Sequence, residues 1–377
     1  MSEEKSQDDY ALKTTEVGTV AAPELPYLPP VPKNYRPKIG LMACGGITVS
    51  HLGAYRDQGY DVTWLCDLDI NKAKKRQEEF FPEARVTSSY EDLLSDSSVD
   101  VVDIATHPRE RLPLIEAALS AKKHVLSQKP FVLSLDEGVR LCNLAEANGV
   151  KFAVNQNGRW APHFAYIREA VRAGLLGDIM SVHVGVHWNH TWVQGTPFEN
   201  IYDLVFYDFA IHWFDFVTSI VPGRAKTVYA TRASAPGQTI GPPMLAQAMV
   251  DLQDSGQASL VFDAHVMHGS VDRTFVAGTK GTAVSTGPDL GTQSVVLQTE
   301  AGVAYPELSG TWFNDGFKGT MGELLCAIEE DREPLNSARG NLNSLALCFA
   351  AIASANEGVP KTVGEVRTLP KGSAPGV

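Results

Sequence analysis

Residues 39–47 read Ile39-Gly40-Leu41-Met42-Ala43-Cys44-Gly45-Gly46-Ile47. An apolar run turns through paired glycines and opens into a helical stretch over 50–58, which Gly59 closes. This is the entry of a nucleotide-binding β-α-β unit, in which backbone N–H groups and the helix dipole together favour a pyrophosphate. Cys44, Gly45, Gly46 and Ile47 are the residues expected to lie against it. The match to G-x-G-x-x-G is partial, because Ala43 stands at the first glycine and Thr48 at the third.

A second strand over 62–66 ends at Asp67, about 20 residues past the glycines, where a carboxylate accepts hydrogen bonds from ribose hydroxyls. Leu68 and Asp69 follow, not arginine. A 2′-phosphate about 4 Å from Asp67 would meet a repulsion of about 4 kcal/mol at a surface-like dielectric. One hydrogen bond returns only about 1 kcal/mol. NAD is therefore expected over NADP. The plainer reading is that Asp67 and Asp69 start a turn and cap the next helix.

From 38 to 157 short apolar strands alternate with helices: a strand over 100–105, a helix over 111–121, a strand over 124–126, a helix over 135–148 and a strand over 152–155. Such alternation predicts a Rossmann-type, doubly wound parallel sheet, with ligands beyond the carboxyl ends of its strands. Thr106 and His107, then Gln128 and Lys129, and Asn157 fall on that rim and are read as cofactor contacts. After a helix over 164–173 the pattern changes to period two, beginning at 181–187. Strands are expected at 228–231, 246–252, 258–262, 274–276 and 295–298, and helices at 321–329 and 342–355. The expected organisation is a proline-rich extended arm over 1–37, a dinucleotide-binding domain over 38–157, and an α+β domain over 158–377 built on a large, mostly antiparallel open sheet.

In a chain of 377 residues, a net charge of −12 argues against a nucleic-acid partner, which would require a basic face. Five scattered cysteines without a C-x-x-C pair read as the reduced thiols of a cytoplasmic protein. The opening Met1-Ser2-Glu3-Glu4-Lys5 lacks an apolar leader core. No run approaches the roughly 18 apolar residues of a membrane span.

Lys129, directly after a strand and held by Pro130, would project into the cleft and stabilise negative charge on a substrate oxygen. Its alternative is an ordinary solvated lysine. In Tyr207-Asp208-Phe209-Ala210-Ile211-His212, Asp208 and His212 are four apart and share one face of a helix. An imidazole with a pKa of about 6.5 suits proton exchange with a hydroxyl, and the carboxylate would orient it. The alternative is a structural Asp–His pair. His183, His187 and His190 invite a metal reading, but ordinary sheet and loop histidines are preferred and no metal is expected. Trp192 and Tyr202, among neighbouring aromatics, form either a stacking wall for a sugar or part of the core. Arg159 and His163 at the domain junction are further candidate substrate contacts.

Together the glycine turn, Lys129-Pro130 and Asp208-x-x-x-His212 resemble the glucose–fructose oxidoreductase / inositol dehydrogenase family over roughly residues 38–365, with His51-Leu52 and Gly278-Thr279-Lys280-Gly281 as supporting segments. The resemblance implies an NAD(P)-dependent enzyme that oxidises a sugar or polyol hydroxyl, or reverses that reaction. It also implies a homodimer or homotetramer formed through the second sheet. Lys129 matches the lysine of the family's E-K-P motif, and Asp208 and His212 its acid–base pair. Gln128 departs from the usual glutamate, His107 and Arg111 from the threonine-proline turn and the histidine after it, and Ala43 from the first glycine. An NAD-assisted glycosidase or lyase and a non-catalytic NAD-binding sensor are the alternatives.

Overall fold

The structure, a computed structural model, describes residues 17–374. Its first half forms β1 (Lys38–Met42), α1 (Thr48–Asp57), β2 (Asp61–Cys66), α2 (Ile70–Phe80), β3 (Arg85–Thr87), α3 (Tyr90–Ser95), β4 (Val99–Ile104), α4 (Pro108–Ser120), β5 (His124–Gln128), α5 (Leu135–Ala147) and β6 (Phe152–Asn155). The strands pair in the order β3-β2-β1-β4-β5-β6, all parallel. The expected doubly wound sheet is present. Ile39, Leu41, Val101 and Val102 are fully buried because helices cover both faces of such a sheet. β5 runs two residues further than expected, so Gln128 is its last residue and Lys129 the first beyond it.

After a 3-10 turn at Asn157–Trp160 and α6 (Pro162–Arg172) come β7 (Ile179–His187), a π turn at Val205–Phe209, and α7 (Ile211–Ile220). β8 (Ala225–Ala233), β9 (Leu245–Leu252), β10 (Gln257–Asp263), β11 (Val271–Gly278), β12 (Gly281–Gly287), β13 (Ser294–Thr299) and β14 (Gly302–Ala304) follow. The chain ends with α8 (Trp312–Glu329), α9 (Ala338–Glu357) and the short β15 (Lys361–Thr362). The second sheet has nine strands, ordered β14-β13-β12-β11-β7-β10-β9-β8-β15, and only β10–β7 is parallel among its pairs. Its inner face packs on α7 and α9. The outer face carries the cross-strand row Tyr229, Met249, Ser259, His183 and Phe275.

One late element packs across the expected boundary at 157/158. α8, late in the sequence, returns to the first domain, where Phe317, Met321, Leu324 and Leu325 share one apolar cluster with Ile39, Leu41, Leu52 and Tyr55. It fits there because Gly316 and Gly319 leave room for the 3-10 turn: a Cβ on Gly316 would stand 2.6 Å from the Asn157 carbonyl oxygen, and one on Gly319 would enter the Trp160 ring. Of the proline-rich arm, residues 1–16 lie outside the described residues. The remainder straps its own chain. Thr19 bridges Val303, Tyr166 donates to the Pro23 carbonyl at 3.0 Å, and the Glu329 carboxylate accepts from the N–H groups of Lys33, Asn34 and Tyr35.

Candidate active site

A cleft of about 1110 Å³ opens beyond the carboxyl ends of β1, β4 and β5, where the second domain faces them. Gly45, Gly46, Ile47 and Ser50 form one end. A Cβ at Gly45 or Gly46 would meet nothing within 4 Å, and α1 has neither a side-chain cap nor an acidic residue in its first turn. Its N-terminus thus presents open space and uncancelled positive dipole, which fits a pyrophosphate. The glycine turn is held from below. Thr48 Oγ1 and Arg76 Nη2 donate to the Gly45 carbonyl at 2.6 and 3.0 Å, and Asp67 accepts from the N–H of Cys44 at 2.7 Å and of Asp69 at 2.9 Å. Cys44 itself is buried beside the turn, its thiol pushed up to about 12 by burial and by Asp67. Ala43 adopts φ +70°, the left-handed region in which a glycine is unstrained.

Thr106, His107, Gln128, Lys129 and Asn157 line the middle of the cleft. Beneath them Arg111, fully buried, donates to the carbonyls of Thr106, Gln128 and Pro130. Burial draws its pKa down to about 10, still charged at neutral pH. A guanidinium on an otherwise apolar helix face is the sequence signal that marks it, although its three acceptors come from two loops that only the fold brings together.

Gln128 joins a buried polar network. Its Oε1 accepts from the Lys129 N–H at 2.6 Å, and its Nε2 lies 3.1 Å from His51 Nε2. Since a backbone N–H only donates, the other end of the amide must be its NH2, and His51 Nε2 must accept. His51 Nδ1 therefore carries the proton and donates to Asp103 at 2.7 Å, where Tyr55 also donates at 2.6 Å. A glutamate at 128 would place acceptor against acceptor, so the departure from E-K-P is matched by the tautomer of its neighbour.

Lys129, Asp208 and His212 converge at one end of the cleft. Lys129 Nζ donates to the Asp208 carbonyl at 2.9 Å and to its carboxylate at 3.0 Å. No hydrogen bond joins Asp208 to His212 among the described residues, contrary to the expected carboxylate–imidazole pair. The segment is not one continuous α-helix: Ala210 N–H reaches back to Val205 in a π turn before α7 begins. Such turns re-aim side chains at functional sites, and here the carboxylate meets the ammonium instead. His212 Nδ1 is buried without a partner, 3.3 Å from where a Cβ on Gly158 would stand. The ring's Nε2 is left to the cleft. Burial first, and the Lys129 charge second, hold the imidazole well below its ordinary pKa. It is neutral near pH 7.

Three expected substrate contacts lie elsewhere. Arg159 makes a bidentate ion pair with buried Asp215 at 2.7 and 2.8 Å, which consumes its guanidinium. His163 is buried against Phe164 and Trp312, its pKa lowered to about 3 by desolvation. Tyr202 stacks under Arg232, 5.0 Å from its ring centroid. Trp192 does line the cleft, as do Tyr207, Trp312 and Leu290, which sequence reading missed. The Tyr207 hydroxyl is buried without a partner, and burial raises its pKa. His183 and His187 bond Ser259 and Asp263, each at 2.7 Å.

Two family models match the chain: the oxidoreductase family with an NAD-binding Rossmann fold over residues 38–156, and the GFO/IDH/MocA C-terminal domain over 164–284. D-apiose dehydrogenase from Paraburkholderia graminis is 27% identical over 358 residues, 90% of this chain and 92% of that protein. Inositol 2-dehydrogenase from Salmonella typhimurium is 25% identical over 65% of this chain and 73% of its own. Among solved structures, an oxidoreductase from Agrobacterium radiobacter in complex with NAD+, L-tartaric acid and magnesium superposes with a TM-score of 0.79, at 21% identity, over 88% of this chain and 99% of its own.

Proposed function

The chain belongs to the NAD-binding oxidoreductase family whose second domain is the GFO/IDH/MocA C-terminal domain, and on that basis we propose that it is an NAD-dependent dehydrogenase oxidising a hydroxyl of a sugar, glycoside or polyol to a ketone, or reversing that reaction. The observation that carries this reading is the convergence of Lys129, Asp208 and His212, from two distant parts of the chain, at one end of the cleft. NAD, when bound, supplies the hydride acceptor. Gly45, Gly46 and the start of α1 would hold its pyrophosphate, and Asp67 its adenosine ribose. Thr106, His107, Gln128 and Asn157 line the path towards the reacting end.

An ammonium has three N–H donors, and Asp208 takes two of those of Lys129. The third is directed at the substrate oxygen, where it stabilises developing negative charge. His212 accepts the hydroxyl proton at Nε2, in the tautomer that carries its hydrogen on Nδ1, and its depressed pKa keeps the imidazole neutral for that step. Asp208 acts by holding Lys129. The same reading includes self-association as a homodimer or homotetramer through the outer face of the nine-stranded sheet, supported by the half-buried and exposed row of Tyr229, Met249, His183 and Phe275.

The test is a panel of sugars, polyols and glycosides followed by nicotinamide absorbance and product analysis. His212→Asn is expected to lose about 100- to 10,000-fold in turnover, and Lys129→Ala to lose activity with it. Because the base stays neutral as pH falls, the acid limb of kcat/KM should lie below about pH 6.5. Wild-type turnover in either variant would remove the assignment. Aglycone release without net NADH would instead identify a glycosidase or lyase that recycles its cofactor.

A further inference from the structure

The polar side chains able to meet hydroxyls gather at one end of the cleft, at Lys129, Asp208 and His212, with the unpartnered Tyr207 hydroxyl beside them. Beyond them the wall from the second domain is apolar. Trp192, Pro197, Phe198, Ile201 and Leu290 line it, with Asn200 and His190 as the polar side chains among them; the His190 ring lies 6.3 Å from that of Trp192 and 4.2 Å from that of Phe209. Trp192 is 57% exposed although it sits on a wall of aromatics, with the Phe198 ring edge-on at 5.7 Å and 74°. Much of the indole surface is thus left uncovered.

This distribution constrains the substrate's shape and polarity. A sugar ring at Lys129, Asp208 and His212 finds partners for its hydroxyls. A second sugar ring along this mostly apolar wall would bury several hydroxyls with one amide and one imidazole to serve them, and each buried hydroxyl without a partner weakens binding. A flat apolar group there covers Trp192 and Phe198 and leaves nothing unpaired. Resting on the dehydrogenase reading above, we propose that the substrate is a glycoside of one sugar unit with an aromatic aglycone, the sugar at the Lys129 end and the aglycone against Trp192 and Phe198.

The experiment compares phenyl and methyl glycosides of the same sugars, in both anomers, together with the matching disaccharides. It reads kcat/KM by nicotinamide absorbance and Kd by tryptophan fluorescence in the presence of NAD. The phenyl compounds are expected to exceed the methyl compounds by on the order of tenfold to a hundredfold in kcat/KM, the range that apolar pocket contacts give, with most of the difference in KM. In Trp192→Ala and in Phe198→Ala the phenyl-to-methyl ratio should shrink at least several-fold. Being internal to each variant, that ratio does not depend on how much folded protein is recovered. Equal kcat/KM for phenyl and methyl glycosides, preference for a disaccharide, or an unchanged ratio in both variants would overturn the substrate class and leave the dehydrogenase reading standing. If no glycoside is bound or oxidised while a free sugar or polyol is, the substrate class falls and the dehydrogenase reading stands; if none of the three is oxidised by the NAD-loaded protein, both fall together.

Discussion

Replacing Gln128 by glutamate tests the polarity of the network under the cleft. The side chain is 7% exposed, so water cannot repair a mismatch there. In the wild type, donor meets acceptor at every step from the Lys129 N–H through Gln128 and His51 to Asp103. A carboxylate at 128 still accepts from Lys129, but its second oxygen faces the His51 Nε2 lone pair across 3.1 Å. Leaving that contact unsatisfied costs about 1–3 kcal/mol. The mismatch is cured by one added proton, on the ring or on the new carboxyl, and the pair shares it as a coupled site. Above the unfolded histidine pKa of about 6.5 the folded variant binds up to one proton more than the unfolded chain, so its stability falls as pH rises there. The wild-type amide has no such requirement. Urea unfolding of both proteins at pH 6 and pH 9 should therefore show a stability gap that widens by about 1–3 kcal/mol at the higher pH. A gap of the same size at both values would refute the assigned hydrogen-bond directions.

Two further outcomes follow from the cofactor turn. Asp67→Asn keeps an oxygen for the Cys44 N–H but removes the charge, so much of the repulsion of about 4 kcal/mol towards a 2′-phosphate should go. The ratio of NADP to NAD dissociation constants, measured by calorimetry, should drop at least tenfold, and an unchanged ratio would separate Asp67 from cofactor choice. Ala43→Gly relieves a left-handed alanine at φ +70°, worth about 1–2 kcal/mol, against about 0.5–1 kcal/mol of added chain entropy in the unfolded state. The variant should be more stable by roughly 0.5–1 kcal/mol in chemical denaturation, and a loss of stability would show that the methyl group packs usefully.

Much of the fold was legible because its signals are local. The parallel sheet follows from short apolar strands alternating with helices, and the second sheet from period-two alternation beginning at Ser181. Lys129 stands at the rim because it follows a strand end, a relation that spans two residues. The misreadings share a cause. Arg159 and His163 stand at the domain junction in the sequence, but their burial depends on Asp215 and Trp312 arriving from elsewhere in the chain. The Asp208–His212 pairing assumed a uniform helix, and a one-residue π insertion sent the carboxylate to Lys129.

By itself, then, the sequence determined the two architectures, the glycine turn with its acidic partner, and the identity of the three groups at the end of the cleft. Hydrophobic period, turn chemistry and adjacency act over a few residues and can be read from them. The tertiary structure alone decided that α8 closes the first domain, that Arg111 ties two loops beneath Lys129, and that Gln128 and His51 fix each other's protons. These depend on contacts between segments far apart in the chain, such as the 77 residues that separate His51 from Gln128. Hydrogen-bond direction is settled only when both partners and everything behind them are in place.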